Sequence, residues 1–156
     1  GLPFFAPELF RSVEVADPLK TKQLKAGLTQ LGEEGAIQVF RPVVGTVLLL
    51  GAVGQLQFEV VAHRLEHEYG VRARITPARY SVARWVTCDE SDGGARELQR
   101  FIDGNAHRVA YDAVDAPTLL VEYAPELRAI ESNWPKIKFH ALREHAGLVF
   151  QRKLEG

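Results

Sequence analysis

The 156-residue sequence contains no methionine and a single cysteine, Cys88. A lone cysteine excludes an internal disulfide, which is typical of a protein that works in a reducing compartment such as the cytoplasm. Because residue 1 is glycine and methionine is absent, we expect the sequence to be a piece of a longer protein. Residues 1–5 and 146–156 are expected to be tails, in part vector-derived.

Long hydrophobic runs and a strong charge of one sign are also missing. No apolar run approaches about 20 residues, so the sequence predicts no membrane-spanning segment. No signal peptide is predicted either, because no basic stretch precedes an apolar one near the N-terminus. The net charge is −1 and the isoelectric point is near 6.6, whereas a basic nucleic-acid-binding domain typically exceeds about 9. Any contact with nucleic acid must therefore come from a local cationic patch.

The first half of the chain shows the patterns of four strands and two helices. Strand-like patterns cover residues 8–15, 36–40, 47–53 and 71–75. Asp17–Pro18 begins one helix, which is predicted to end at Gly35, and a second helix is predicted over residues 55–69. Arg41–Pro42 is expected to end the second strand, because proline has no N–H to donate to a sheet.

The second half repeats this order of elements. Strand-like patterns cover residues 83–88, 107–114, 118–123 and 137–142, and helical patterns cover 95–104 and 125–134. The order β-α-β-β-α-β is that of a ferredoxin-like plait. We therefore predict an α+β fold with two tandem ferredoxin-like modules with antiparallel sheets, spanning residues 6–78 and 82–145.

The sharpest catalytic motif is the H-x-x-E-H string at residues 63–67. His63 and His67 are spaced to share a zinc ion on a helix, and Glu66 would be placed to activate water. However, no third ligand is evident, and both histidines lie away from the apolar stripe of the helix. We favour two solvent-facing histidines, and a zinc hydrolase remains the alternative.

Other candidate sites are weaker still. Gly51 and Gly54 flank a strand–helix junction where backbone N–H groups can hold phosphate, but no Gly-Lys-Ser/Thr follows. Close helix–sheet packing is the alternative interpretation. Cys88 has no adjacent histidine or lysine, and the acidic residues at 89–92 are typical of a solvated loop. The sequence thus predicts no catalytic residue, metal site or cofactor site in this chain.

Two surfaces are candidates for binding other molecules. Arg41, Arg79 and Arg84 lie near strand ends and in the linker between the modules, where tyrosine and tryptophan interleave with them. Arginine beside aromatic rings suits phosphate and base contacts, so these three are candidate contacts to ribosome or RNA; internal ion pairs are the equal alternative. Leu56 and Val60 form a second apolar stripe on their helix, which predicts packing against another domain.

Several strings resemble the C-terminal region of the bacterial peptide chain release factor three family. The longest are FAPELF at 5–10, LGEEGAIQVFRP at 31–42 and GAVGQLQFEV at 51–60, with shorter ones at 17–20, 83–86 and 143–145. The segment at 54–60 is also similar to the third domain of elongation factor G. The resemblance covers nearly the whole chain and is densest over residues 4–87.

The resemblance implies a role in translation termination. The chain would be the non-catalytic, ribosome-contacting end of a GTPase that drives class I release factors off the ribosome in the cytoplasm. GTP or GDP and Mg²⁺ would belong to an N-terminal GTPase domain, which a β-barrel domain follows, and this fragment would hold no cofactor. The implied partners are ribosomal RNA and proteins, those preceding domains and class I release factors, with no membrane. An autonomous RNA-binding plait is the alternative.

Overall fold

The computed structural model describes residues 4–143, which contain ten strands and four α-helices. The strands are β1 Phe4–Phe5, β2 Leu9–Val15, β3 Gln38–Pro42, β4 Leu48–Ala52, β5 Ala73–Pro77, β6 Val82–Thr87, β7 Val109–Tyr111, β8 Pro117–Val121, β9 Lys138–His140 and β10 Leu142–Arg143. The α-helices are α1 Thr21–Glu33, α2 Leu56–Tyr69, α3 Gly94–Gly104 and α4 Ala124–Asn133. Short 3₁₀ turns occupy Pro18–Lys20, Glu90–Asp92 and Ala106–Arg108.

Eight of the strands form one antiparallel sheet in the order β5-β2-β4-β3-β7-β8-β6-β9. The first four strands of this order and the last four each have the arrangement of a β-α-β-β-α-β plait. The corresponding strands of the second set occur in the reverse order across the sheet. The prediction of an α+β fold with two tandem ferredoxin-like modules is therefore confirmed. The predicted boundaries 6–78 and 82–145 enclose these two element sets, and residues 144 and 145 lie outside the described part of the chain.

The two modules share a single sheet because β3 and β7 pair edge to edge. Arg41 lies opposite Tyr111, and Pro42 lies opposite Ala110. The strand ends at Arg41–Pro42 as expected, and it includes both residues. One further backbone hydrogen bond joins the modules just after the proline, because the N–H of Val43 donates to the carbonyl of Val109, 2.9 Å away.

The first module packs α1 and α2 on one face of the sheet. Asp17 caps the 3₁₀ turn Pro18–Lys20 that leads into α1, since its Oδ1 accepts from the N–H of Leu19 at 3.0 Å. Leu65 and Tyr69 of α2 pack directly on Gly27 of α1, where an added Cβ would lie 2.7 Å from a Leu65 methyl group. Side chains of α1, α2 and the sheet form the first core, which includes Val13, Leu24, Leu28, Leu31, Leu50, Phe58, Val61 and Leu65.

The second module repeats this arrangement with α3 and α4 on the same face of the joint sheet. Its core includes Val86, Leu98, Phe101, Leu119, Leu127 and Ile130. The opposite face carries a third core, which draws on both modules and consists of Phe10, Phe40, Leu49, Ala83, Ala110 and Leu120. Side chains along a strand alternate between the two faces of the sheet. Each strand that contributes to this third core therefore also has side chains in, or packed against, the core of its own module.

The remaining two strands, β1 and β10, form a separate ladder that joins the ends of the described chain. Phe4 pairs with Arg143, and Phe5 pairs with Leu142. Phe4 and Phe5 were expected to belong to the N-terminal tail, and instead they form a strand because β10 offers them backbone partners. The other predicted tail residues, 1–3 and 146–156, lie outside the described residues.

Candidate functional site

Arg41 and Arg84 both project from the helix-covered face of the sheet, but on different modules. Arg41 on β3 forms an ion pair with Asp115, and its guanidinium lies 6.0 Å from the ring centroid of Tyr111. Arg84 on β6 donates from Nη1 to the carbonyl of Ala83 at 2.7 Å. Three strand spacings separate β3 from β6, or roughly 14 Å, so the two arginines do not form one site.

Arg79 lies in the linker between the modules and faces the other side of the sheet. Its Nε is 3.3 Å from a carboxylate oxygen of Glu122, and its guanidinium lies 5.6 Å from the ring centroid of Tyr80. A hydrogen bond with Tyr80, followed by the charge of Glu122, raises the pKa of Arg79. Arg41 and Arg79 are therefore already paired with acids, whereas no carboxylate within residues 4–143 pairs with Arg84.

Arg79 lines a cleft of about 490 Å³ on the sheet face opposite the helices. The cleft lies between the turn that joins β3 to β4, the linker between the modules and the 3₁₀ turn at Ala106–Arg108. Val44 and Val47 from the β3–β4 turn, both exposed, form its apolar wall. Together with Tyr80, they give the cleft an apolar and aromatic lining.

The charges around this cleft nearly cancel. A neighbouring hollow of about 440 Å³ continues it past Glu122 and Tyr123 to Glu126. Arg108 forms an ion pair with Glu126 at 2.7 Å. Arg79 forms the second ion pair, with Glu122 at 3.3 Å. His107 is exposed at the rim. A lining of paired charges and apolar groups suits a protein surface better than a bare phosphate backbone, which requires uncompensated cations.

A cluster of unpaired cations occurs elsewhere, at the start of α1. Lys20, Lys22 and Lys25 have no carboxylate partner among the described residues. Lys22 and Lys25 are three residues apart, so they are neighbours on one helix face. Beside them Leu19 is 84% exposed. The pattern of arginine beside aromatic rings does not point to this cluster, whereas the spacing of the lysines in the predicted helix is a signal that does.

Leu56 and Val60 form an exposed apolar surface on α2. They are 69% and 47% exposed, and Val53 just before the helix is 67% exposed. The opposite side of the same helix is buried in the first core through Phe58 and Val61. The structure thus places both predicted packing residues on one solvent-facing side, next to a third apolar residue.

Two N–H groups of the strand–helix junction at Gly51–Gly54 are already paired within the chain. Gln57 Oε1 accepts from the N–H groups of Val53 and Gly54 at 2.9 and 3.1 Å. Gly51 serves packing instead, because an added Cβ would lie 2.6 Å from Pro7 and 3.0 Å from Phe40. The glycines of this junction therefore position the backbone rather than a phosphate.

The remaining catalytic candidates do not assemble into a site. The rings of His63 and His67 are both exposed, with their centroids 4.1 Å apart, and Glu66 pairs with Arg72. Cys88 is buried, and Asp89 pairs with Lys138 at 2.6 Å. Within residues 4–143, no cluster of three or more metal-ligating side chains is present. No helix in this part of the chain is long and apolar enough to cross a membrane.

Comparison with known proteins agrees with the resemblance seen in the sequence. Residues 1–131 match the family model of the class II release factor RF3, C-terminal domain. The chain is 70% identical over 151 residues to peptide chain release factor 3 of Nitrosomonas eutropha, covering 97% of this chain and 28% of that protein. The corresponding protein of Bordetella pertussis is 64% identical over 154 residues, covering 98% of this chain and 28% of its own length. The chain thus spans about 28% of the length of these curated relatives, and it belongs to the family of C-terminal domains of class II release factor RF3, a factor of translation termination.

Proposed function

We propose that this domain is the non-catalytic, ribosome-contacting region of a cytoplasmic translation-termination GTPase that releases class I release factors from the ribosome. The match of residues 1–131 to a release factor C-terminal domain carries the proposal. GTP and Mg²⁺ belong to the preceding GTPase domain, which is followed by a β-barrel domain. This chain supplies binding surface, and its own residues take no part in nucleotide hydrolysis.

Its surfaces support contact with both components of a ribosome. Lys22, Lys25 and Arg84 have no acid partner within residues 4–143, so they suit the phosphates of ribosomal RNA. The cleft beside Arg79 is charge-balanced and lined by valine and tyrosine, so it suits a ribosomal protein. Arg41 and Arg79 also remain candidate contacts, but each must exchange an internal carboxylate for a phosphate or an acidic partner group.

The exposed surface of Val53, Leu56 and Val60 supports packing against the preceding domains of the parent factor. These three side chains lie on the solvent side of α2 while the other side of that helix holds the first core. Replacing Leu56 and Val60 by serine is expected to leave this domain as stable as before and to lower the melting temperature of the intact factor. Leu19→Ser, at another exposed leucine outside this surface, is the control. Equal melting temperatures for all forms of the intact factor would contradict this role.

A charge-swap experiment tests whether Arg79 contacts the ribosome. Arg79→Glu repels Glu122, and the double variant Arg79→Glu, Glu122→Arg restores an ion pair with its charges reversed. If Arg79 contacts the ribosome, both variants of the intact factor recycle class I factors slowly, although only the single variant melts at a lower temperature. If the double variant recovers both stability and recycling, Arg79 is structural.

Two other functions predict different results on the isolated chain. An autonomous RNA-binding plait would bind single-stranded RNA by itself with steep salt dependence, and the lysine cluster on α1 is its strongest support. A zinc hydrolase would hold stoichiometric zinc through His63 and His67. A non-catalytic domain of a release factor binds neither ligand tightly, yet it is required in the intact factor.

A further inference from the structure

The segment of residues 4–8, here called the strap, connects the two modules across the sheet face opposite the helices. The N–H of Ala6 donates to the carbonyl of Ala141 at 2.8 Å, next to the β1–β10 ladder. The N–H of Glu8 donates to the carbonyl of Ala52 in the first module at 3.2 Å. Gln38 Nε2 of β3 donates to the carbonyl of Phe5 at 2.9 Å. One short segment thus forms hydrogen bonds with both modules.

A buried ion pair fixes the strand to which the strap pairs. Arg143 of β10 has its Nε 3.0 Å from Oδ2 of Asp112, and the two side chains are only 11% and 5% exposed. The guanidinium also lies 5.5 Å from the ring centroid of Trp85. Because a buried carboxylate holds its cation strongly, Asp112 positions β10 and thereby the backbone groups that β1 uses.

Asp112 is itself held rigidly, so the anchor has a fixed location. Its Oδ1 accepts from the N–H groups of Val114 and Ala116 at 3.0 and 2.9 Å. Its Oδ2 accepts from the indole N–H of Trp85 at 3.1 Å. These three bonds do not involve the strap or β10, so Asp112 keeps its position when Arg143 leaves.

The strap itself is weakly attached compared with the sheet. Its ladder has two residue pairs, whereas β2 is seven residues long and pairs on both sides. The side chains of Phe5 and Leu142 are 64% and 41% exposed. Segments with short ladders and exposed side chains open locally at a smaller free-energy cost than the core of a domain.

We propose that the strap opens as a discrete local transition, separate from unfolding, and that the Asp112–Arg143 ion pair holds it closed. Opening frees the contact of Pro7 with Gly51 and uncovers the third core near Phe40. In the intact factor the preceding domains connect through this segment, a point that rests on the proposed function. A displacement of those domains would then pull on the strap and first break its hydrogen bonds to β10 and Ala141 at the end of the second module.

Hydrogen exchange of the 156-residue chain, followed amide by amide, tests the proposal. In Arg143→Leu the amide of Ala6 is expected to exchange about tenfold faster or more, while core amides such as that of Leu28 keep their rates. Arg100→Leu is the matched control, because Arg100 also pairs with an acid, Glu97, and lies over the second tryptophan, Trp134, at 4.4 Å. Uniform acceleration of all amides, or an unchanged rate at Ala6, would overturn the proposal.

A reversible crosslink gives a second test that does not depend on losing the ion pair. Phe5 and Leu142 are directly opposite each other, so the double variant Phe5→Cys, Leu142→Cys can close a disulfide across the ladder, and the native Cys88 is buried. The oxidised form is expected to slow exchange at Ala6 to the rate of the core, and reduction is expected to restore it. Equal rates in both forms would overturn the proposal. Because the isolated chain is measured, this result is independent of whether the domain contacts the ribosome.

Discussion

The indole N–H of Trp85 donates a hydrogen bond to the buried carboxylate of Asp112. This bond joins β6 to the turn that follows β7, and the same carboxylate receives two backbone N–H groups and the charge of Arg143. One acid of the second module thus has partners from three parts of the chain, namely β6, the turn after β7 and β10.

Asp112→Asn is expected to destabilise the domain by about 2–4 kcal/mol, because the amide cannot match every donor and leaves Arg143 buried without its counter-charge. Urea denaturation followed by circular dichroism measures the loss. Asp115→Asn is the control: this acid pairs with Arg41 at the surface, so its loss is expected to change stability by less than about 1 kcal/mol. Equal losses for the two variants would contradict the central role of Asp112.

Gly51→Ala is expected to cost about 1–3 kcal/mol, because the new methyl group overlaps Pro7 and Phe40 and forces them to shift. Gly54→Ala is the matched control, since no atom lies within 4 Å of its added Cβ. Thermal melts of both variants measure the difference. A Gly51→Ala variant as stable as Gly54→Ala would show that the strap does not pack tightly on β4.

Arg64 links the two helices of the first module through carboxylates. Its hydrogen bonds lower the pKa of Glu34, which follows α1, and of Glu68 in α2 below the ordinary value of 4.5. A lowered pKa in the folded state stabilises the protein above about pH 4.5, and this contribution disappears as the pH falls through the lower folded values. In Arg64→Gln the melting temperature is therefore expected to fall less between about pH 7 and about pH 3. An identical fall in the wild type and in Arg64→Gln would contradict the link.

The chain is expected to bind neither GDP nor zinc. The N–H groups of Val53 and Gly54 at the strand–helix junction already donate to Gln57, and His63 and His67 provide only two ligands for a metal ion. Calorimetry with GDP and elemental analysis for zinc check both statements, with His67→Ala as the comparison. Stoichiometric zinc that disappears in His67→Ala would contradict the account, as would GDP binding in the micromolar range.

The helices and the face that each one buries could be predicted from the sequence. The spacing of Phe58, Val61 and Leu65 specified the buried side of α2, and Leu56 and Val60 consequently emerged on the exposed side. Gly70, with φ of +66°, ends this helix as expected. These features depend on neighbours within a few residues, so the local pattern contains the necessary information.

The contacts between the modules could not be predicted in the same way. Alternation in β3 indicates which side chains share a face, but it does not indicate that β7 is the strand's neighbour, because that pairing joins residues about 70 positions apart. The two-residue strands β1 and β10 are too short to show a period, and the ion pairs of Arg41 and Arg79 depend on these long-range contacts. The cleft beside Arg79 could not be predicted either, because residues of both modules line it and the β3–β7 pairing brings them together.

The most direct test of the proposed ribosome-contacting role is the salt dependence of the affinity of the intact factor for ribosomes. Lys22 and Lys25 are neighbouring exposed cations with no acid partner in the part of the chain that the structure describes. In the double variant Lys22→Gln, Lys25→Gln, binding is expected to weaken and its logarithmic salt slope to fall by about one to two units, with an unchanged melting temperature. Lys136→Gln, at an exposed lysine of the second module, is the control and is expected to bind as the wild type does. An affinity and a salt slope identical to the wild type in the double variant would contradict ribosome contact through this cluster.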